Sequence, residues 1–338
     1  MRLVCAAALF LALPLSASAQ WSPSLSKAEA DGKAKRRPVL ILVWTKGDPA
    51  SDRLEKEIWS VEPVKTVLRS FTGVKVEKSA IAEAKTWVAV PRWKSQGEGE
   101  AAVPEIRIIH PWGTELARFP LKDATAADLG AKLKAETDAW EERQAPIRLD
   151  ARALELALRG QEKDPIHEAV NKVIAHREPW TIPIVAAALY QSSVKIRATV
   201  IPELRRIDAE DGLWAILKWL DDEATQAGCN IGWEEVARAN DIRTLPQIKD
   251  GILNNSVCAV IRVKAIGQFK DKSNIPFLID LFPRVGLPKA EPGKPEPRSL
   301  HDDIAASLQK LTGQSFGKDY NRWKEWWKSA GPQFEFPK

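Results

Sequence analysis

Asp48 and Ser51 stand three residues apart in the run Asp48-Pro49-Ala50-Ser51. A carboxylate base beside a hydroxyl nucleophile is the start of a hydrolytic site, and His110 would complete a trio. Two features weaken that reading. No glycine cluster for an oxyanion hole accompanies these residues, and His110 lies in the turn His110-Pro111-Trp112-Gly113, after the strand that would carry it. The same four residues have a structural use. Asp48 is a good helix N-cap, Pro49 a good first helical residue, and Ser51 falls where an orphan backbone N–H needs an acceptor. Capping is the preferred reading, so no catalytic residue is assigned.

Other chemistry is sparser. The histidines His110, His167, His176 and His301 have no metal-ligand spacing, and no metal or cofactor is expected. His301-Asp302-Asp303 reads as an acidic helix start, and Asp221-Asp222-Glu223 as a solvated helix end. Trp323, Trp326 and Trp327 could hold a sugar or a cation. Their spacing more simply sets two rings on an apolar helix face and the third on its rim, and Trp214 and Trp219 follow the same logic. Gly313 reads as a helix C-cap. Cys229 and Cys258 are either a disulfide or two independent small buried residues, since spacing alone fixes no distance between them.

Two stretches of different periodicity must position these groups. Over residues 38–121, Pro38 to Trp44 is a continuous apolar run typical of a central strand. Val74 to Glu77, Ile106 to Ile109 and Glu115 to Phe119 are further strands. Leu54, Ile58, Val61, Val64 and Leu68 recur at helical spacing between them, and Leu129, Leu133 and Trp140 continue such a face in a closing helix. The order indicates an α/β sandwich. From about residue 150 helices take over: Ala151 to Leu158, His167 to His176, Ile182 to Gln191, and then pairs at 194–220, 257–282 and 300–329. The last three pairs superpose as sequence, which marks an internal repeat of helical hairpins. Residues 225–255 fit that repeat poorly. Leu287 to Pro297 reads as a mobile Pro/Gly/Glu/Lys loop.

The N-terminus combines Arg2, an apolar run from Leu3 to Leu15 and the small residues Ala17-Ser18-Ala19, the pattern of a signal peptide over 1–19 with a mature chain from Gln20. Export to the periplasm or the extracellular space is expected, without stable membrane insertion after cleavage. The formal net charge is +5 in 338 residues. Charges of both signs are scattered, and the cluster Lys33 to Arg37 reads as a solvated linker, so nucleic acid is not an expected partner.

Two resemblances refine this. Arg37-Pro38-Val39-Leu40, then Leu54-Glu55-Lys56-Glu57-Ile58-Trp59, then 103–119 resemble the exported bacterial branch of the thioredoxin-like fold. The resemblance implies a cis proline at Pro104 and places the family's two redox cysteines at Asp48 and Ser51. Disulfide exchange needs an attacking and a resolving thiol, and no cysteine lies between Gln20 and Gly228. The redox motif is therefore degenerate at Asp48, Pro49, Ala50 and Ser51. Ile196-Arg197-Ala198, Ile261-Arg262-Val263-Lys264-Ala265, Ile182-Pro183 and Ile275-Pro276-Phe277-Leu278 resemble HEAT-like repeats. Residues 308–331, with Trp323, Trp326 and Trp327, are similar to a terminal block of exported HEAT-repeat proteins.

The expected architecture is thus an α/β thioredoxin-like sandwich over 20–146 (core 38–141), followed by an all-α HEAT-like helical-repeat solenoid over 147–331. That second domain carries a loop at 284–298, and 332–338 form a tail. The expected function is an exported, non-enzymatic scaffold that binds a protein partner. The alternatives are a thioredoxin-fold enzyme with hydrolase or peroxidase-like chemistry, or a thiol-linked role through Cys229 and Cys258.

Overall fold

The computed structural model describes residues 21–78, 104–160, 163–191, 193–222, 228–254, 256–286 and 298–337. The signal segment, Val103 and the 287–297 loop lie outside them. The chain divides into two compact units, Met1–Pro146 and Ile147–Lys338. The first is an α/β part and the second is helical.

In the first unit, α1 (Leu25–Lys35) precedes β1 (Val39–Trp44), and α2 (Pro49–Glu57) and α3 (Val64–Leu68) lead to β2 (Thr72–Glu77). β3 (Glu105–Ile109) and β4 (Glu115–Pro120) are joined by the turn at 110–114, where Gly113 takes φ 97°. The sheet order is β2-β1-β3-β4, with β1 parallel to β2 and antiparallel to β3, and β3 antiparallel to β4. Central position explains why β1 is apolar on both faces. Leu40 and Leu42 pack with Leu54, Ile58, Leu129 and Leu133, whereas Val39, Ile41 and Val43 pack with Leu25 and Ala28 of α1. Lys33 and Lys35 belong to the last turn of α1, where the helix dipole favours them, so of the basic cluster only Arg36 and Arg37 fall in the exposed linker to β1.

Two helical expectations change. The apolar series Leu54 to Leu68 is split into α2, which ends at Glu57, and α3, which Pro63 precedes as the N-cap residue; Val61 falls in the break and is exposed. Conversely, Ala151 to Leu158 is not a separate helix. It continues α4 (Ala126–Gly160), which passes through Pro146. Pro146 and Glu142 are both exposed, so water can solvate the carbonyl that the proline leaves without a donor.

In the second unit, α5 (Lys163–Ala175), α7 (Val194–Ile207), α9 (Cys229–Ala239), α11 (Ser256–Ile266) and α13 (Leu300–Thr312) alternate with α6 (Ile182–Ala187), α8 (Ala209–Asp222), α10 (Leu245–Lys249), α12 (Asn274–Leu281) and α14 (Tyr320–Ala330). Each odd-numbered helix packs on the next odd-numbered one, and a single contiguous apolar core runs from Leu154 to Phe334. The poorly fitting stretch 225–255 supplies the pair α9 and α10. Its turn matches two others. In Glu178-Pro179-Trp180-Thr181-Ile182-Pro183 and Asp241-Ile242-Arg243-Thr244-Leu245-Pro246, the threonine hydroxyl donates to the carbonyl three residues back at 2.7 Å. In Asp271-Lys272-Ser273-Asn274-Ile275-Pro276, the Asn274 amide donates instead to the Ile266 and Phe269 carbonyls.

The tail is also packed. Phe334 is buried against Trp326 and Trp327, with ring centroids 5.8 and 5.7 Å away, and Lys270 Nζ donates to the Pro337 carbonyl at 2.9 Å.

Candidate functional site

β1 ends at Trp44, and the chain turns through Gly47, at φ 76°, into α2. Asp48 is extended, and its Oδ2 accepts hydrogen bonds from the Ser51 amide and the Ser51 hydroxyl, both at 2.8 Å. Ser51 Oγ also accepts from the Thr45 amide at 3.3 Å and is buried. The Ser51 hydroxyl, and after it the Ser51 amide, hold the Asp48 carboxyl below its ordinary pKa. A carboxylate stabilised in this way is a poor proton acceptor near neutral pH, and the serine hydroxyl already has both a donor and an acceptor partner. The arrangement closes a helix N-terminus.

His110 is elsewhere. The β1–β3 register sets Val39 beside Ile109 and Val43 beside Glu105, so His110 lies at the start of β1 while Asp48 follows its end. The six residues of β1 separate them by about 16 Å at the usual rise of a strand. The imidazole is buried, accepts the Trp112 amide on Nδ1 at 3.2 Å, and packs on the Trp112 and Trp140 rings at 5.6 and 5.2 Å. The trio Asp48, Ser51 and His110 is not assembled.

The Asp48 end of the sheet instead gathers backbone. Pro104 accepts the Leu121 amide at 2.9 Å, and Arg53 of α2 donates to the Lys122 and Ala124 carbonyls at 2.9 and 3.1 Å. A cleft of about 560 Å³ opens beside this loop, lined by Phe119, Leu121, Lys122, Leu129 and Lys132. The expected cis bond at Val103-Pro104 involves a residue outside the described ones; among those described, the cis peptide is Glu62-Pro63. No group of three His, Cys, Asp or Glu residues among the described residues could hold a metal ion, and no helix among them is long and apolar enough to cross a membrane.

In the helical unit, Cys229 and Cys258 form a disulfide between α9 and α11, with Cα atoms 6.3 Å apart. Both are 1% exposed, which keeps the sulfurs from any thiolate in solution. Trp323 is fully buried and donates from Nε1 to the Gly317 carbonyl at 2.8 Å; Trp326 and Trp327 are half-buried around it. Gly313, at φ 73°, ends α13, and Ser299 with Asp302 forms a capping box at its start.

Sequence reasoning missed one set of residues. Arg197 Nε donates to the Leu189 carbonyl at 2.9 Å, and Arg262 donates to the carbonyls of Ile248 and Gln247 at 2.9 Å and also to that of Asp250. His301 Nε2 meets the Phe282 carbonyl at 3.1 Å. Each side chain is buried on the first helix of a pair and finishes the end of the helix before it. The arginine in Ile196-Arg197 and Ile261-Arg262 was a signal for this role, because a buried guanidinium must find acceptors.

The caps make the fold acid-sensitive. The Ser299 amide and then the Lys318 ammonium pull Asp302 down to about 2, and hydrogen bonds from the Ser51 hydroxyl, the Arg243 guanidinium and the Ser273 hydroxyl lower Asp48, Asp241 and Asp271 in the same direction. A folded-state pKa below the unfolded one gives stabilisation that is complete above the unfolded value and lost as pH falls through the folded value. Melting temperature should therefore fall between about pH 4 and pH 2, by an amount that solvent screening of these exposed carboxylates keeps modest. Asp302→Asn, which still caps but does not titrate there, should flatten that slope in circular-dichroism melts. An unchanged slope would remove Asp302 from this account.

Comparison of the chain with family models, curated proteins and solved structures finds no match.

Proposed function

We propose that the chain is an exported, non-enzymatic scaffold in which a redox-inactive thioredoxin-like domain precedes a HEAT-like array, and that it works by binding another protein. The observation that carries this is the closed Asp48–Ser51 pair: where the thioredoxin-like pattern calls for two thiols, a carboxylate and a buried hydroxyl satisfy each other and start α2. Supporting the first part are a parallel β1–β2 pair, an antiparallel β3–β4 pair and helices on both faces. Supporting the second are five successive helix pairs that share one core, the kind of stacking that yields an extended surface. Fold alone assigns no activity, so the proposal rests on the site.

The test is capture by the full chain, tagged and produced with its own N-terminal segment, from a cross-linked envelope fraction of its source cell. A defined protein should be retained at near-stoichiometric yield and then rebind in purified form. Recovery at background level, across several cross-linker lengths, would refute the scaffold reading.

A further inference from the structure

The part of α4 in the second unit has two apolar stripes where its fold needs one. Ile147, Ala151 and Leu154 are buried at helical spacing, Leu154 in the core of this unit. On the opposite side Leu149 is 72% and Leu156 53% exposed, and Leu149 is the most exposed large apolar side chain among the described residues. The outer stripe has a heptad pattern. Leu149-Asp150-Ala151-Arg152 is followed seven residues later by Leu156-Ala157-Leu158-Arg159, with the exposed Ala153 between the leucines. With the leucines at d, Ala153 is at a and both arginines are at g, the position that chooses a partner in a coiled coil. The nearby acids are engaged. Asp150 pairs with His176 at 2.7 Å and Glu155 with Arg152 at 3.1 Å, whereas Arg159 meets no carboxylate among the described residues.

From this we infer that the stripe docks an amphipathic helix of another protein that carries an apolar seam flanked by glutamate or aspartate. A second copy of the chain fits less well. Antiparallel self-pairing sets arginine against arginine at g, and parallel self-pairing sets Arg152 against Ala157. An acidic helix gives Arg159 the carboxylate it lacks and adds a second to Arg152, while covering both leucines.

This rests on the scaffold reading and specifies one of its surfaces. Its test uses the full chain and a labelled helical peptide with leucine at a and d and glutamate at e and g, read by fluorescence anisotropy. A second peptide with lysine replacing each glutamate is the control. The glutamate peptide should bind saturably, and the lysine peptide roughly tenfold more weakly or worse. Arg152→Glu with Arg159→Glu should reverse that preference, and Leu149→Asp with Leu156→Asp should abolish binding of both. All four positions are solvent-facing, and unchanged melting curves would establish that the variants fold. Absence of saturable binding, or equal binding of both peptides unaffected by the arginine changes, would overturn the inference. So would a dimer in sedimentation that Leu156→Asp dissolves, because a second copy would then be the occupant. Failure here together with successful capture of a partner would sink this surface and leave the scaffold reading standing.

Discussion

Arg262→Ala is expected to destabilise the helical unit by about 3–4 kcal/mol, the cost of leaving the buried Ile248 carbonyl and the half-buried Gln247 carbonyl without this donor and opening a cavity beside them. Arg262 as a whole is 5% exposed, and its guanidinium lies 4.6 Å from the Trp233 ring centroid. Burial pulls its pKa down to about 10, so it remains charged at neutral pH and its bonds to carbonyls are the strong, charge-assisted kind. Lysine offers one point donor in place of a planar fork, so Arg262→Lys should recover only part of the loss. Urea unfolding of the full chain, followed by Trp fluorescence, would measure both. A loss under about 1 kcal/mol for the alanine variant would mean that water replaces the guanidinium easily, against its burial here.

Removing the Cys229–Cys258 bond should cost nearly as much. The two cysteines are 29 residues apart, and in the chain-entropy account a closed loop of that size is worth about 3–4 kcal/mol. Replacing both with alanine should lower the melting temperature by roughly 10 °C for a unit of this size. Because both sulfurs are buried, mild reductant should have little effect on the folded chain and should act only once denaturant opens it. Mass measurement of thiol-blocked protein, with and without denaturant, separates these cases. Rapid labelling of both cysteines in the folded chain would overturn the structural role.

What could be read from sequence followed from local physics. The unbroken apolar run of β1 means burial on two faces, and Asp48-Pro49 carries the marks of a helix start, whatever the rest of the chain does. The failures are non-local. Pro63 and Pro146 look alike as helix breakers, yet one stands between two helices and the other within one, a difference that neither local sequence shows. That His110 lies away from Asp48 was legible from its place after the strand, and only the distance between them required the β1–β3 register. Phe334 was read only as part of the tail, because its packing on Trp326 and Trp327 depends on the chain folding back after the last helix. The turn shared by Thr181, Thr244 and Asn274 was legible, but only as an acidic residue followed three places later by a small polar one and then Ile/Leu-Pro. That pattern is lost when helices are aligned instead of turns.

Arg197, Arg262 and His301 each complete a helix that belongs to the preceding pair. A cut at the loop between two pairs would remove the side chain that closes the upstream helix, leaving its last carbonyls bare. Hairpins are therefore poor building blocks for shortening, duplicating or grafting this unit. The transferable module is offset by half a period: it begins with the second helix of one pair and ends after the first helix of the next, and boundaries placed there would keep every such closure intact.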